Sequence, residues 1–281
     1  MLYKMISRII PNDKNVTAAC DRIGAYKYLK RYEYALDKNT DYVCDQKEFK
    51  QRIWICWLQG YENAPDIVKR CKESVLRYSS GCDVVVLDND NIKEYIEVPD
   101  FIEEKHNKGI IHHTQYSDYI RVALLSKYGG IWIDSTALLT SPLPEYILKA
   151  DLFCFKLPVE GRICASSWFI SAKPNHPILN QMLSIFNEYW MNENKLVSYS
   201  MIHLCWYMVV NHNEHNKMMW EDVPYIDDVN CKLLQMDLFK KYSEERYQQI
   251  INLSSVHKLT YKFPEECKSI EGTFYCKLLG R

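Results

Sequence analysis

The sequence has no long hydrophobic run, no excess of one charge and no paired cysteine motif. Its most apolar segment, "MIHLCWYMVV" at residues 201–210, is about half the ~20 residues that a membrane-spanning helix needs. We therefore predict a buried helix there and no membrane span. With 35 basic and 36 acidic residues and a net charge of -1, the chain lacks the basic excess typical of nucleic-acid-binding proteins, so we expect no nucleic-acid partner.

The cysteines and histidines lack the spacings of disulfide frameworks or zinc sites. The 11 cysteines are odd in number, form no C-x-x-C pair and follow no signal peptide, which favours reduced thiols in a cytoplasmic protein. The "HH" at 112–113 and "HNEH" at 212–215 have no partners at zinc-ligand distance along the chain. We predict that these histidines lie in loops or on the surface.

The chain is predicted to contain one large α/β domain over residues 51–281, preceded by a helical N-terminal extension over residues 1–50. In the extension, "AYKYLKRYEYAL" at 25–36 interleaves tyrosine with basic residues. Such a face either packs on the main domain or contacts an anionic membrane surface, and the sequence leaves both open.

The main domain opens with a strand–helix–strand pattern. "RIWICWL" at 52–58 is an apolar run without alternation, which is typical of a strand buried on both faces. A helical pattern follows, and "DVVVLD" at 83–88 reads as the next strand. This order predicts a mostly parallel sheet with a right-handed crossover. Asp88, at the end of the second strand, either touches a nucleotide or caps the following turn.

A helix, two glycines and a strand follow further along the chain. Apolar and aromatic residues recur every four positions up to Tyr128, which marks the buried stripe of a helix. Gly129 is placed to end that helix with a positive φ. The strand "IWI" at 131–133 then carries Asp134 to its carboxyl end, the edge where open α/β sheets hold ligands. Further strands are predicted at 151–157 and 166–172, and further helices at 176–190, 198–212 and 243–251.

Three charged residues are predicted to meet at that edge. Asp118 and Arg121 are three residues apart on the helix and share a face. Asp134 follows across the tight helix–glycine–strand unit. Considered without its neighbours, the Asp118–Arg121 pair would better suit a surface ion pair of little energetic value.

The segments "RIWICWLQGYENAPDIVKRC", "YSDYIRVALLSKYGGIWIDST" and "HKLTYK" resemble the capsular polysaccharide synthesis group of glycosyltransferases. This group is often placed with glycosyltransferase family 32 in the Asp-x-Asp sugar-binding superfamily, which is related to the glucosyltransferase domains of large clostridial toxins. The resemblance spans roughly residues 51–263. It implies a GT-A fold, in which an Asp-x-Asp motif holds a divalent cation against the diphosphate of a sugar nucleotide.

The resemblance also implies roles for individual residues. Asp118 and Arg121 are expected to contact the ribose and sugar of the donor, and Trp57 to lie beside its base. Asp134 is expected to bind Mn²⁺ or Mg²⁺, because hard cations prefer carboxylate oxygens. The second acidic position is Thr136, whose hydroxyl brings no charge, so we expect a weaker metal site.

Two further segments supply candidates. The resemblance implies that His257 is a metal ligand and that Lys258 or Lys262 clamps the diphosphate, although a solvated basic loop fits the same pattern. Ser166 and Ser167 fall in the region that relatives place beside the reacting carbon. We expect them to position the substrate, with an ordinary strand position as the alternative for Ser167.

The sequence therefore predicts an enzyme that transfers a hexose from a nucleotide sugar to a glycan or lipid-linked oligosaccharide acceptor in capsular or extracellular polysaccharide synthesis. A UDP-sugar is the favoured donor and a GDP-sugar the alternative, and the resemblance implies a retaining, metal-assisted reaction. The expected location is the cytoplasm, at the inner face of the plasma membrane. A non-catalytic sugar-nucleotide or glycan binder is the second hypothesis. Glycoside hydrolysis needs two carboxyl groups about 5–9 Å apart, and no such pair stands out.

Overall fold

A computed structural model describes residues 14–38, 51–79, 81–157 and 165–281. The helices are α1 (Lys14–Leu29), α2 (Asp66–Arg77), α3 (Asp100–Asn107), α4 (His113–Tyr128), α5 (Glu145–Lys149), α6 (Pro177–Asn192), α7 (Met201–His212), α8 (Glu214–Glu221), α9 (Val229–Asp237), α10 (Glu244–Leu253) and α11 (Phe274–Leu278). The strands are β1 (Arg52–Cys56), β2 (Asp83–Leu87), β3 (Gly130–Ile133), β4 (Ala137–Leu139), β5 (Leu152–Lys156), β6 (Ala165–Ala172) and β7 (Val256–Lys258). Short 3₁₀ helices lie at Lys30–Lys38, Tyr61–Asn63, Ile92–Glu94 and Glu265–Ser269.

The central sheet has the strand order β2-β1-β3-β6-β5. Strand β1 pairs in parallel with β2 and β3, while β6 pairs antiparallel with β3 and β5. Four of the five strands therefore point the same way, and β6 alone is reversed. The predicted α/β class and mostly parallel sheet are confirmed.

Helices cover both faces of this sheet, so its central strands are apolar on both sides. Trp54 and Trp132 face a cluster formed with α1, α4, α6 and α7. Ile53 and Ile131, one residue earlier on the same strands, face a second cluster formed with α2, α9, α10 and α11. Successive side chains on a strand point to opposite faces, which explains why β1 and β3 lack a polar alternation.

The glycine pair between α4 and β3 is required by close backbone approaches. Gly129 has φ 63 and Gly130 has φ 96. A Cβ added at Gly129 would lie 2.6 Å from the Pro174 nitrogen, and one at Gly130 would lie 2.6 Å from the Arg52 carbonyl oxygen. Any other residue would meet both an unfavourable φ and neighbouring backbone. These glycines let the chain turn directly from the helix into a central strand.

The described part of the N-terminal segment packs against α6 and α7. Leu29 and Leu36 are fully buried in the first core cluster. The hydroxyl groups of Tyr28 and Tyr32 donate hydrogen bonds to the Glu193 carboxylate at 2.5 and 2.6 Å. Residues 1–13 and 39–50 of the predicted extension lie outside the described residues, and membrane contact by this segment stays a prediction.

The apolar segment at 201–210 lies in α7 and is largely buried, as predicted. Within the described ranges, no helix combines the length and apolar character needed to cross a bilayer. The eight cysteines whose state the structure describes all carry free thiols.

A second, two-stranded sheet was not anticipated from the sequence. Strand β4 pairs antiparallel with β7, with Ala137 opposite Lys258 and Leu138 opposite His257. The main-chain N–H of Leu259 extends this pairing by donating to the Thr136 carbonyl at 2.8 Å. The segment "HKLTYK" therefore begins in a strand tied to the residues just after β3.

Candidate functional site

A cavity of about 720 Å³ opens where β1 and β3 end. Its walls come from the loop after β1, from α3 and α4, from the turn after β3 and from the segment after β7. This volume lies within the ~300–1,000 Å³ typical of small-molecule sites. The location matches the predicted ligand-binding edge of the sheet.

The Asp134 side chain lies at the centre of a charge cluster in this cavity. Its Oδ2 accepts a hydrogen bond from Lys258 Nζ at 2.7 Å, and its Oδ1 accepts one from Trp132 Nε1 at 2.9 Å. Arg121 Nη2 lies 3.3 Å from the same Oδ1. Burial tends to raise the pKa of Asp134, but Lys258, Arg121 and the two hydrogen bonds outweigh burial and lower the pKa below its ordinary value. The group is therefore a carboxylate at neutral pH.

Arg121 links both aspartates, as the helical spacing predicted. Its Nη2 is 3.2 Å from Asp118 Oδ1, and its Nη1 donates to the Ser167 carbonyl. The guanidinium also lies over the Trp132 ring, 5.1 Å from the ring centroid. Because these contacts hold Arg121 from several sides, it is a fixed positive charge on the cavity wall.

Asp118 does not line the cavity, so the structure gives no support for the expected direct contact with a donor. It is buried behind Arg121. Burial raises its pKa to about 6, with the Arg121 charge acting in the opposite direction. The pair is also not the weak surface ion pair that the spacing alone allowed. Asp118 positions Arg121.

Lys258 reaches Asp134 through the β4–β7 pairing. Besides its bond to Asp134, its Nζ donates to Thr136 Oγ1 at 2.8 Å. His257, the preceding residue, points to the opposite face of the strand, where it is fully buried and its Nε2 lies 3.1 Å from Thr140 Oγ1. The expected metal-binding role of His257 therefore requires a correction, because strand alternation directs this side chain away from the cavity.

Three other candidates also lie outside the cavity lining. Ser166 is buried and donates a hydrogen bond to Asp228 Oδ2 at 2.7 Å. Ser167 contributes a main-chain carbonyl to Arg121, and its position is that of a strand residue in β6. Asp88 Oδ1 accepts from the main-chain N–H groups of Asp90 and Asn91 at 3.0 and 3.1 Å. Of the two roles open for Asp88, the structure shows the turn cap.

Trp57 and Lys262 line the cavity, as expected. The Trp57 ring packs edge-to-face against Tyr261, with 5.3 Å between the ring centroids. Lys262 is exposed, and its Nζ lies 5.7 Å from the centroid of the Tyr261 ring. An aromatic pair therefore lies beside a cationic group. This arrangement suits the binding of a ligand that has both a planar ring and a phosphate.

Several cavity-lining residues were not singled out from the sequence. Thr114 and Ser117 line the cavity together with Arg121. They precede Arg121 by seven and four residues, a helical spacing that places all three on one face of α4 and that could have identified them from the sequence. His106 and His113 also line it, with His106 Nε2 3.1 Å from His113 Nδ1 and the His106 ring stacked on Tyr116 at 3.8 Å. Burial, followed by the neighbouring His113, lowers the pKa of His106. His112 and His113 are exposed, as predicted, but the sequence did not indicate that His113 would meet His106 at the cavity, because α3 approaches α4 only in the folded chain.

The residues at the predicted metal site do not fit a divalent cation. Asp134 is the one carboxylate among the cavity-lining residues that the structure describes, and both its oxygens accept from protein donors. Thr136 Oγ1 is bonded to Lys258, and His257 is elsewhere. In the described part of the chain, no group of three His, Cys, Asp or Glu residues is arranged to hold a metal ion. One carboxylate can hold Mg²⁺ when phosphates and waters supply the other oxygens, but both oxygens of this carboxylate already accept from Trp132 and Lys258.

Comparison with known proteins identifies the class to which this α/β fold and charged cavity belong. The family profile described as "Capsular polysaccharide synthesis protein" matches residues 11–278. The chain belongs to this family. The membership predicted from the motifs around Asp134 is confirmed.

Two curated relatives carry glycosyltransferase names. The O-glycosyltransferase braB of Annulohypoxylon truncatum is 24% identical over 305 aligned positions, covering 97% of this chain and 66% of the relative. The uncharacterized glycosyltransferase L373 of Acanthamoeba polyphaga mimivirus is 26% identical over 142 positions, covering 49% of this chain and 54% of the relative. The chain thus spans less than two thirds of the length of either relative. Among solved structures, the PaToxG glycosyltransferase is similar with a TM-score of 0.38 and 13% identity, covering 92% of this chain and 95% of that chain.

Proposed function

We propose that this protein is a glycosyltransferase that moves a hexose from a nucleoside diphosphate sugar to a hydroxyl group of a glycan acceptor. The observation that supports this most directly is the charge of the cavity. Arg121, Lys258 and Lys262 line it together with the carboxylate of Asp134. Three cations against one anion suit a diphosphate, whose departure leaves growing negative charge on its oxygens.

The aromatic pair supports a nucleotide as the carrier of that diphosphate. Trp57 and Tyr261 stand at the same cavity as the cations, so a base against Trp57 would leave the phosphates within the cationic part. We favour a UDP-sugar as the donor, because Trp57 holds the position that the resemblance places beside the base in UDP-sugar enzymes. A GDP-sugar is the alternative. The proposed acceptor is a glycan or lipid-linked oligosaccharide in capsular or extracellular polysaccharide synthesis at the inner face of the plasma membrane.

The proposed reaction retains the configuration of the sugar. The bond between the anomeric carbon and the β-phosphate oxygen breaks, the acceptor oxygen bonds to that carbon from the same face, and the acceptor proton passes to the departing phosphate. Asp134 is the one carboxylate among the described cavity-lining residues, and it already binds two cations. Asp134 is therefore held in ion pairs and is not free to act as the base, which favours the phosphate in that role. Arg121 and Lys258 stabilise the leaving diphosphate.

A donor panel tests this proposal. The full chain is incubated with UDP-sugars and GDP-sugars, and release of UDP or GDP is measured with and without glycan acceptors. We expect release from at least one donor. The Asp134→Asn variant should reduce the rate about 10²-fold, because an amide no longer holds Arg121 and Lys258 by charge. Asp90→Asn, an exposed carboxylate change outside the cavity, is the matched control and should leave the rate unchanged.

Two results would contradict the proposal. Donor binding without turnover in the presence of glycan acceptors would favour the non-catalytic binder. Unchanged turnover by the Asp134→Asn variant would show that Asp134 takes no part in the reaction. The anomeric configuration of the product, read by NMR, separates retention from inversion.

A further inference from the structure

The ammonium group of Lys258 lies where a bound cation would have to lie. It is 2.7 Å from Asp134 Oδ2 and 2.8 Å from Thr136 Oγ1. These are two of the side-chain oxygens that the "DST" sequence at 134–136 could offer to a metal. A divalent cation needs its oxygen ligands at about 2.0–2.6 Å, so the ammonium and the metal would compete for the same space.

The remaining oxygen of Asp134 is also engaged. Trp132 Nε1 donates to Oδ1, and the Arg121 guanidinium lies 3.3 Å from it. A metal ion at this carboxylate would have to displace Lys258 and would then lie close to a buried guanidinium. Both changes are electrostatically unfavourable for a doubly charged cation.

The fold fixes Lys258 in this position. Its main chain pairs with Ala137 in the β4–β7 sheet, and its side chain is only 20% exposed. A lysine on a free surface loop would sample many rotamers and occupy no defined point. Here the strand register delivers the ammonium group to the carboxylate that follows β3.

We propose that Lys258 takes the place of the divalent cation, and that this protein binds a nucleoside diphosphate through its own side-chain cations without a metal ion. This inference rests on the proposed function. In this inference, Lys258, Arg121 and Lys262 neutralise the negative charge of the diphosphate, as a metal ion does in metal-dependent enzymes. The cavity lining then has three cationic side chains against the single carboxylate of Asp134, and even with Asp118 paired to Arg121 behind the wall the charge facing the ligand is positive, as binding of a diphosphate requires.

Calorimetric titration of UDP and GDP into the full chain tests the inference without a variant. One series contains EDTA and the other Mn²⁺. We expect the nucleotide that binds to have a Kd in EDTA within about threefold of its Kd in Mn²⁺. Binding at least about tenfold tighter with Mn²⁺ would overturn the inference and leave the proposed function standing. Failure of both nucleotides to bind in either series would instead overturn the proposed function, and the inference with it.

Charge substitutions at Lys258 provide the second measurement. Lys258→Met replaces the lysine with an uncharged side chain of nearly the same length. It should weaken nucleotide binding in EDTA about tenfold or more, because one charge-assisted contact is lost. Lys258→Arg, which keeps the charge, should recover most of the affinity. Lys149→Met is the matched control, since Lys149 is a surface residue paired with Glu145 outside the cavity. Wild-type affinity of a folded Lys258→Met protein in EDTA would overturn the inference.

Discussion

Asp118 and Asp134 both contact Arg121, yet their surroundings shift their pKa values in opposite directions. Burial raises the pKa of Asp118 to about 6, whereas Lys258 and Arg121 outweigh burial and lower the pKa of Asp134. For Asp118, the native pKa is higher than the unfolded value near 3.9, so its protonation stabilises the native state as pH falls from about 6 to 4. Because the pKa of Asp134 is lowered in the native state, its carboxylate stabilises the native state at neutral pH. This stabilisation is lost as the carboxylate is protonated at acid pH.

His176 should make the protein less stable in mild acid. It is buried at the start of α6, where its Nδ1 accepts from the Ile178 N–H at 3.3 Å. Burial lowers its pKa to about 4. The unfolded state, with a pKa near 6.5, takes up a proton that the native state excludes, so stability falls as pH drops from about 6.5 to 4.

The His176→Asn variant tests this residue, because asparagine keeps an acceptor at the helix start and does not titrate. We expect the loss of unfolding free energy between pH 7 and pH 5 to be about 2 kcal/mol smaller in the variant. Urea unfolding at the two pH values provides the measurement. An equal loss in both proteins would show that His176 titrates normally in the native state.

At the scale of elements, the β4–β7 pairing decides which groups enter the cavity. Lys258 and His257 are neighbours in sequence, and both were expected at the site. The strand register places Lys258 beside Asp134 and turns His257 toward Thr140. Short strands of three residues carry too little periodicity to be recognised in a sequence, and their pairing joins segments more than 100 residues apart.

The helix–glycine–strand unit should tolerate no side chain at Gly130. Gly130→Ala would place a methyl group 2.6 Å from the Arg52 carbonyl at a φ of 96. We expect a loss of at least about 2 kcal/mol in the free energy of unfolding. Gly81→Ala is the matched control, because Gly81 has φ 79 but nothing within 4 Å of the added Cβ. Similar losses in both variants, measured by denaturant unfolding, would show that the contact with Arg52 is unimportant.

At the scale of the whole molecule, the N-terminal helix and the central sheet share a core. Leu29 belongs to the same buried cluster as Trp54 and Trp132 of the sheet. The described part of the N-terminal segment should therefore unfold together with the sheet. The cavity proposed to bind the donor lies at the end of that sheet, so a change that unfolds the core should also destroy the cavity.

Leu29→Ala tests whether the two parts unfold together. Removing a fully buried leucine should cost about 2–5 kcal/mol of unfolding free energy while the transition stays single. Ile23→Ala on the same helix is the control, because Ile23 is 44% exposed and should cost less than about 1 kcal/mol. Loss of helix signal before the tryptophan fluorescence change would show that α1 unfolds separately.

The main strands and helices could be predicted from the sequence because their signals are local. The uninterrupted apolar run of β1, the stripe of α4 and the glycine pair before β3 each reflect sterics or burial within a few residues. The spacing of Asp118 and Arg121 similarly predicted their contact, because a helix turns every 3.6 residues.

Which of these side chains face the cavity was decided only in the folded chain. Burial behind Arg121 removed Asp118 from the cavity lining, and packing of α3 on α4 brought His106 beside His113. Pairing of β4 with β7 placed Lys258 on the carboxylate where the sequence pattern suggested a metal. The sequence by itself determined the class of fold and the edge of the sheet where the cavity lies. Tertiary structure decided that the Lys258 ammonium group lies against Asp134, because strand register between distant segments depends on packing across the whole core.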